Sequence, residues 1–116
     1  MFYKFRIIIK REGTDEILIG LATGHVNGKI GLSKSSWALS NTGLLYHDED
    51  TVDTEIKLDS HCTVDVSLKA NKLTFKATFQ DGRVQKYNHY DDDLMLMPLY
   101  PAVTLGYMSS VEIMRR

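Results

Sequence analysis

Two neighbouring stretches of the chain alternate between apolar and polar side chains. The apolar positions are Cys62, Val64, Val66 and Leu68 in the first stretch, and Leu73, Phe75, Ala77 and Phe79 in the second. Successive side chains of a β-strand point to opposite faces, so a period of two favours strands over helices. The short segment 69–71 between them is typical of a turn. We therefore predict an antiparallel hairpin with one buried face, and a shared core containing Val64, Val66, Phe75, Phe79 and Val103.

The rest of the chain shows the same preference for strands. Further strands are predicted at residues 3–9, 17–22, 100–105 and 110–114. Loops are predicted from Gly24 to about Ser36, at a strand end near residues 47–50, and at residues 88–90 and 91–93. No window of a dozen residues carries a helical stripe, and turn signals recur about every ten residues, which is typical of a sandwich or barrel. The predicted fold class is all-β, an antiparallel β-sandwich with little or no helix, forming one domain over residues 1–116.

Charge and composition argue against nucleic-acid binding and membrane insertion, and they favour an intracellular compartment. The chain has 116 residues, with 14 Lys and Arg against 15 Asp and Glu, so it offers no basic field for a nucleic acid. No run approaches the roughly 20 apolar residues of a membrane span, so no membrane insertion is expected. The single cysteine cannot close an internal disulfide, the chain lacks a glycosylation sequon, and its first residues carry charges. These features favour the cytoplasm or the nucleus.

No arrangement of residues predicts catalysis, a cofactor or a metal. The chain has no Gly-x-Ser-x-Gly elbow, and Cys62 falls on the apolar face of its strand, where a thiol is usually inert. The four histidines, at positions 25, 47, 61 and 89, lack the spacing of zinc ligands. Adjacent carboxylates diverge along an extended chain, so Asp91–Asp93 is expected to be a solvated acidic loop.

Aromatic residues in predicted loops are the remaining candidates for binding. Tyr107 and Met108 fall in the tight connection between the two closing strands, where no core needs them. Tyr46 falls at a strand end, and Tyr90 falls in another predicted loop. Tyrosine and methionine are common at binding surfaces because they supply a large contact area. The alternative for each of these side chains is that it covers one end of the sandwich core.

Several segments, in the right order and spacing, together resemble the SPRY domain family. They are Ile19-Gly20-Leu21-Ala22-Thr23-Gly24, Trp37-Ala38-Leu39-Ser40-Asn41-Thr42-Gly43 with Leu45-Tyr46-His47-Asp48, Leu73-Thr74-Phe75, and Leu99-Tyr100-Pro101-Ala102-Val103-Thr104-Leu105-Gly106 with Val111-Glu112-Ile113. The chain departs from the family pattern at Ala38, where a glycine is usual, and at Ser67, where an aspartate is frequent. The matching segments cover only the SPRY part of the family pattern, so a domain of the SPRY-only type, without the N-terminal PRY subdomain, is expected.

The resemblance implies a bent sandwich of two antiparallel sheets that acts as a non-catalytic protein-interaction module. It also implies that binding loops gather at one end, and it places the loop after the first motif and the loop before the last strand there together. The candidate partner-binding residues are Thr23, Gly24, His25, Tyr46, Gly106, Tyr107 and Met108. The expected partner is a short peptide or a surface loop of another protein, and the domain is expected to serve as an adaptor or scaffold within a larger protein.

Two other functions stay open from the sequence. The first is a carbohydrate-binding sandwich, because lectin-like folds share this architecture and stack sugars on aromatic side chains. If Trp37 is packed inside, the chain has no tryptophan that could stack against a sugar. The second is a purely structural domain of a cytoskeletal or multisubunit assembly. The sequence leaves the oligomeric state open.

Overall fold

The hairpin predicted from the alternating pattern lies at the centre of the first of two sheets. In the computed structural model, residues 2–11, 16–23, 36–58, 61–96, 98–104 and 109–115 are described. Their strands are β1 Phe2–Arg11, β2 Leu18–Ala22, β3 Ser36–Ser40, β4 Leu44–His47, β5 Asp50–Asp53, β6 His61–Lys69, β7 Lys72–Phe79, β8 Val84–Tyr90, β9 Tyr100–Thr104 and β10 Ser109–Arg115. The first sheet has the order β10-β1-β6-β7-β8, the second has the order β5-β4-β3-β2-β9, and every pairing is antiparallel. The predicted all-β sandwich is therefore confirmed.

The hairpin has the predicted register and burial. Strands β6 and β7 pair so that Val66 lies opposite Phe75 and Cys62 lies opposite Phe79. Cys62 is buried while its neighbour His61 is exposed, as the alternation requires. Of the five predicted core residues, four are buried, and Val103 is partly buried and packs against them.

The second sheet is buried on both faces at its centre. All residues of β2 and β3 are buried. Inward side chains such as Ile19 and Trp37 join the main core, whereas Leu18, Ala22 and Ala38 form a second apolar cluster. Gly20 is required between them, because a Cβ there would lie 1.8 Å from the carbonyl oxygen of Trp37. Glycine therefore lets β2 and β3 approach each other without a side chain in the way.

Two loop predictions are wrong. Residues 88–90 belong to β8, and Ser36 begins β3. Strand β8 pairs only with β7 and lies at the edge of its sheet, with alternate residues exposed. An edge strand needs few apolar residues, so its polar sequence resembles that of a loop.

A single 3-10 helix, Asp92–Met95, follows β8 within the described part of the chain. Among the described residues, no helix has the length and apolar character needed to cross a membrane.

Candidate functional site

The two sheets are joined by a polar contact at the buried ring of Trp37. This side chain points inward from β3 and is fully buried. Its indole Nε1 donates a hydrogen bond of 3.1 Å to Asp91 Oδ2. Since Asp91 directly follows β8, the bond connects the edge of the first sheet to the centre of the second. A buried indole N–H requires such an acceptor, and a carboxylate is a strong one.

His47 is held against Trp37 in a fixed orientation. The two rings stack with their centroids 4.1 Å apart and an angle of 8° between their planes. Nδ1 of His47 lies 2.8 Å from the carbonyl oxygen of Ser36. A carbonyl oxygen only accepts, so Nδ1 carries the proton and donates it. In the neutral ring, Nε2 then has a lone pair, and it lies 3.6 Å from Asp91 Oδ2.

A second histidine, His89 on β8, approaches the same carboxylate oxygen. Its Nε2 lies 3.9 Å from Asp91 Oδ2. Burial lowers the pKa of His89 below its ordinary value, and His47 adds to this effect, whereas Asp91 opposes it. Burial also acts to raise the pKa of Asp91, but bonds from the Asp93 amide and the Trp37 indole, together with the two imidazoles, outweigh it. The pKa of Asp91 is therefore below its ordinary value, and the carboxylate is ionised at neutral pH.

The backbone around Asp91 holds its carboxylate in place. The amide of Asp91 donates to the carbonyl oxygen of Asn71 at 2.9 Å, and Asp91 Oδ1 accepts from the Asp93 amide at 2.9 Å. The second bond caps the 3-10 helix and brings the Asp93 carboxylate near the pocket.

We name His47, His89, Asp91 and Asp93 the His–Asp cluster. Ligand atoms of three of its members, His47, Asp91 and Asp93, all lie within 4.8 Å of one another. Three members, His47, His89 and Asp91, line a cavity of about 220 Å³, which Asp50, Leu45 and Val52 also line. Nitrogen and carboxylate donors gathered in this way are the ligand types that hold a divalent transition metal.

Local spacing did not predict this cluster. Asp92 and Asp93 are exposed, as the prediction of a solvated acidic loop requires, but Asp91 turns inward and the prediction is wrong there. Asp91 reaches Trp37 across 54 positions of sequence. One feature of the sequence could have indicated a polar partner for Trp37, because a tryptophan packed inside needs a hydrogen-bond acceptor for its N–H.

The described partner-binding candidates are Thr23 and Tyr46. Thr23 directly follows β2 and is partly exposed. Tyr46 lies on β4 and packs, partly buried, against the second apolar cluster. It precedes His47 on the same strand, so its side chain faces away from the His–Asp cluster. The other candidates, Gly24, His25, Gly106, Tyr107 and Met108, lie outside the described residues.

The two loops expected at one end of the sandwich are attached to opposite ends of the second sheet. Strand β9 runs antiparallel to β2, so Tyr100 lies opposite Ala22 and Thr104 lies opposite Leu18. The chain therefore enters segment 105–108 at the end that holds Leu18 and Asn41, which we name the Leu18 end. Thr23, Ser36 and His47 lie at the other end, which we name the Thr23 end. Because residues 24–35 and 105–108 lie outside the described residues, the expectation of a shared end stays a prediction, although the described strand ends that lead into the two segments are at opposite ends of the β2–β9 pair.

Comparison with known proteins supports the fold. No family model and no curated protein sequence matches the chain. Among solved structures, the SPRY domain of human HERC1 matches 98% of this chain and 74% of its own, with 18% identity and a TM-score of 0.68. The stonustoxin structure matches 97% of this chain with 12% identity and a TM-score of 0.68, and the chain spans only 19% of that protein. At these identities the likeness establishes an SPRY-like β-sandwich fold.

Proposed function

We propose that this chain is a non-catalytic protein-interaction module that binds a short peptide or a surface loop of a partner. The observation that carries the proposal is its SPRY-like fold, shared with the SPRY domain of human HERC1 over nearly the whole chain. Loops held by rigid sheets are a common position for recognition residues. In this proposal the domain serves as an adaptor or scaffold within a larger intracellular protein.

The Leu18 end is the proposed binding surface. Asn41 fixes this end: its amide donates to the Ile17 carbonyl at 3.0 Å, and its Oδ1 accepts from the Ile17 amide at 2.9 Å. Its carbonyl oxygen accepts from the Leu58 amide at 2.9 Å. A platform held by such bonds loses little conformational entropy when a partner binds. Gly106, Tyr107 and Met108, which lie outside the described residues and follow Thr104 at the end of β9, are the proposed recognition residues.

Thr23 is a separate candidate at the Thr23 end, whereas Tyr46 lies level with Gly20, at the middle of β2 and on the outer face of the second sheet. Leu18 and Thr23 are five positions apart, which is roughly 16 Å along an extended strand. Gly24 and His25 directly follow Thr23 in the sequence and are candidates together with it. We therefore treat the two ends as alternatives that one experiment separates.

The test begins with a display library of random linear peptides selected on the immobilised chain. The affinity of an enriched synthetic peptide is then measured by calorimetry. Tyr107→Ala is expected to weaken binding by about 2 kcal/mol, or roughly thirtyfold, without changing the melting temperature. A tyrosine at a recognition site supplies a large buried area at a low cost in rotamer entropy.

One control lies on the first sheet and the other lies at the Thr23 end of the second sheet. Tyr90→Ala removes a tyrosine that is 64% exposed, and Thr23→Arg blocks the Thr23 end with a bulky side chain. Both variants are expected to keep the affinity of the parent chain. Loss of binding in Thr23→Arg alone moves the surface to the Thr23 end. Failure to enrich any peptide over an unrelated β-sandwich contradicts the proposed function.

For the carbohydrate-binding alternative, the tryptophan of this chain is not available for stacking. Trp37 is the only tryptophan in the sequence and is fully buried, so it offers no face to a sugar ring.

A further inference from the structure

We propose that the His–Asp cluster binds one divalent transition-metal ion, of which zinc is the representative, between the two sheets. The ligands are His47 Nε2, Asp91 Oδ2, a carboxylate oxygen of Asp93 and His89 Nε2. This site is independent of the peptide-binding function proposed above.

The first argument is that ligand atoms of three residues converge. Those of His47, Asp91 and Asp93 all lie within 4.8 Å of one another. Because Nδ1 of His47 donates to Ser36, Nε2 is the ring nitrogen left to face a metal ion, and it lies 3.6 Å from Asp91 Oδ2. His89 Nε2 approaches the same oxygen from the first sheet at 3.9 Å, which places it beside this group of three.

The second argument is that the ligand distances are close to those of a metal site. Zinc bonds to nitrogen and oxygen are about 2.0–2.1 Å long, so tetrahedral ligand atoms lie roughly 3.4 Å apart. The separations from Asp91 Oδ2 to His47 Nε2 (3.6 Å) and to His89 Nε2 (3.9 Å) need only small movements to reach that value. His89, however, has to move closer to His47 and Asp93, since it lies outside the group whose ligand atoms are within 4.8 Å of one another. Asp93 is exposed on a short helix, so its side chain is free to complete the site.

The third argument is the support around the ligands. Histidines that bind a metal almost always donate their other N–H to a carbonyl or a carboxylate, which fixes the ring and its tautomer. His47 has this partner in Ser36 and is held further by stacking on Trp37. Asp91 is held by the Trp37 indole and by the Asp93 amide.

The donor types select the class of metal. Imidazole nitrogens together with carboxylates suit zinc and its transition-metal neighbours, whereas calcium takes six to eight oxygens. With neutral histidines, Asp91 and Asp93 supply two negative charges, and Asp50 lines the same cavity. The two negative charges of Asp91 and Asp93 balance the charge of a divalent ion.

The test is a zinc titration of the untagged chain after treatment with a chelator and dialysis. Calorimetry is expected to show one zinc ion per chain. At a zinc concentration about a hundred times the measured Kd, the melting temperature is expected to rise by about 5 °C or more, because the ion joins elements of both sheets. Cobalt(II) is expected to give the visible absorption of a tetrahedral nitrogen and oxygen site, and calcium is expected to give no shift.

Paired variants locate the site. His89→Gln and Asp93→Asn are each expected to weaken zinc binding by about tenfold or more, the loss that even an outer-shell partner produces. Their matched controls, His61→Gln and Asp92→Asn, are expected to keep the affinity of the parent chain. Absence of zinc binding, equal losses in the controls, unchanged affinity in both cluster variants, or a preference for calcium would each overturn the proposal.

Discussion

The two sheets of the sandwich bury their strands in different ways. In the first sheet, β6 alternates between buried and more exposed residues along its whole length. In the second sheet, β2 and β3 are buried at every position. The alternation identifies one face that contacts water, whereas the continuous apolar run of residues 17–22 belongs to a strand covered on both faces. The same antiparallel pairing therefore supports two kinds of sheet, and substitutions should distinguish them.

The largest effect is expected at the core face of the first sheet. Phe75 lies on β7 and is fully buried between the sheets. Phe75→Ala is expected to lower the free energy of unfolding by about 3–5 kcal/mol, since it removes apolar contacts and leaves a cavity. Urea denaturation measures the loss. The neighbouring exposed residue provides the control, and Lys76→Ala is expected to change stability by less than about 0.5 kcal/mol. Equal stabilities would contradict the one-sided burial of this sheet.

The next effect tests the close approach of strands in the second sheet. Gly20→Ala is expected to destabilise the chain by about 3 kcal/mol, because the new Cβ meets backbone atoms that cannot rotate away. Gly82→Ala is the comparison, since Gly82 has a φ of +90° but open space around it. Its backbone conformation alone should cost about 1 kcal/mol. Chemical denaturation of both variants separates steric overlap from backbone strain, and a larger loss at Gly82 would reject the close approach.

The smallest effect compares the outer faces directly. Leu18 lies in the second apolar cluster and is 3% exposed, whereas Val84 on β8 is 52% exposed. Leu18→Ala is expected to cost about 2–3 kcal/mol, and Val84→Ala less than about 0.5 kcal/mol. Thermal and urea unfolding measure both. A small loss at Leu18 would mean that the outer face of the second sheet contributes no stabilising packing.

Much of the fold could be predicted from the local alternation of apolar and polar residues. The alternation at 62–68 and 73–79 predicted the β6–β7 hairpin and its core residues, because side-chain direction in a strand depends only on position along the chain. Strand β8 was missed because an edge strand buries few apolar residues. Its polar residues, including His89, gave no signal that separates a strand from a loop.

The candidate sites were predicted less well, since each depends on which strands become neighbours. Tyr46 and Thr23 were predicted as single residues, and the structure places Thr23 at one end of the second sheet and Tyr46 level with Gly20 at its centre. The placement of segment 105–108 beside Thr23 stays a prediction, and the strand that leads into this segment ends opposite Leu18, because the direction of β9 relative to β2 is a property of pairing. The His–Asp cluster was missed for a similar reason, as its histidines lie on strands of different sheets.

The sequence by itself determined the all-β class, the central hairpin and the main core residues. These follow from local alternation and from the free energy gained by burying the apolar face of each strand. Only the tertiary structure decided which strand ends meet, and so placed His47, His89 and Asp91 around one cavity with Trp37 bonded to Asp91 behind them. The physical reason is that strand order and register depend on packing and on hydrogen bonds between distant segments, which no local pattern encodes.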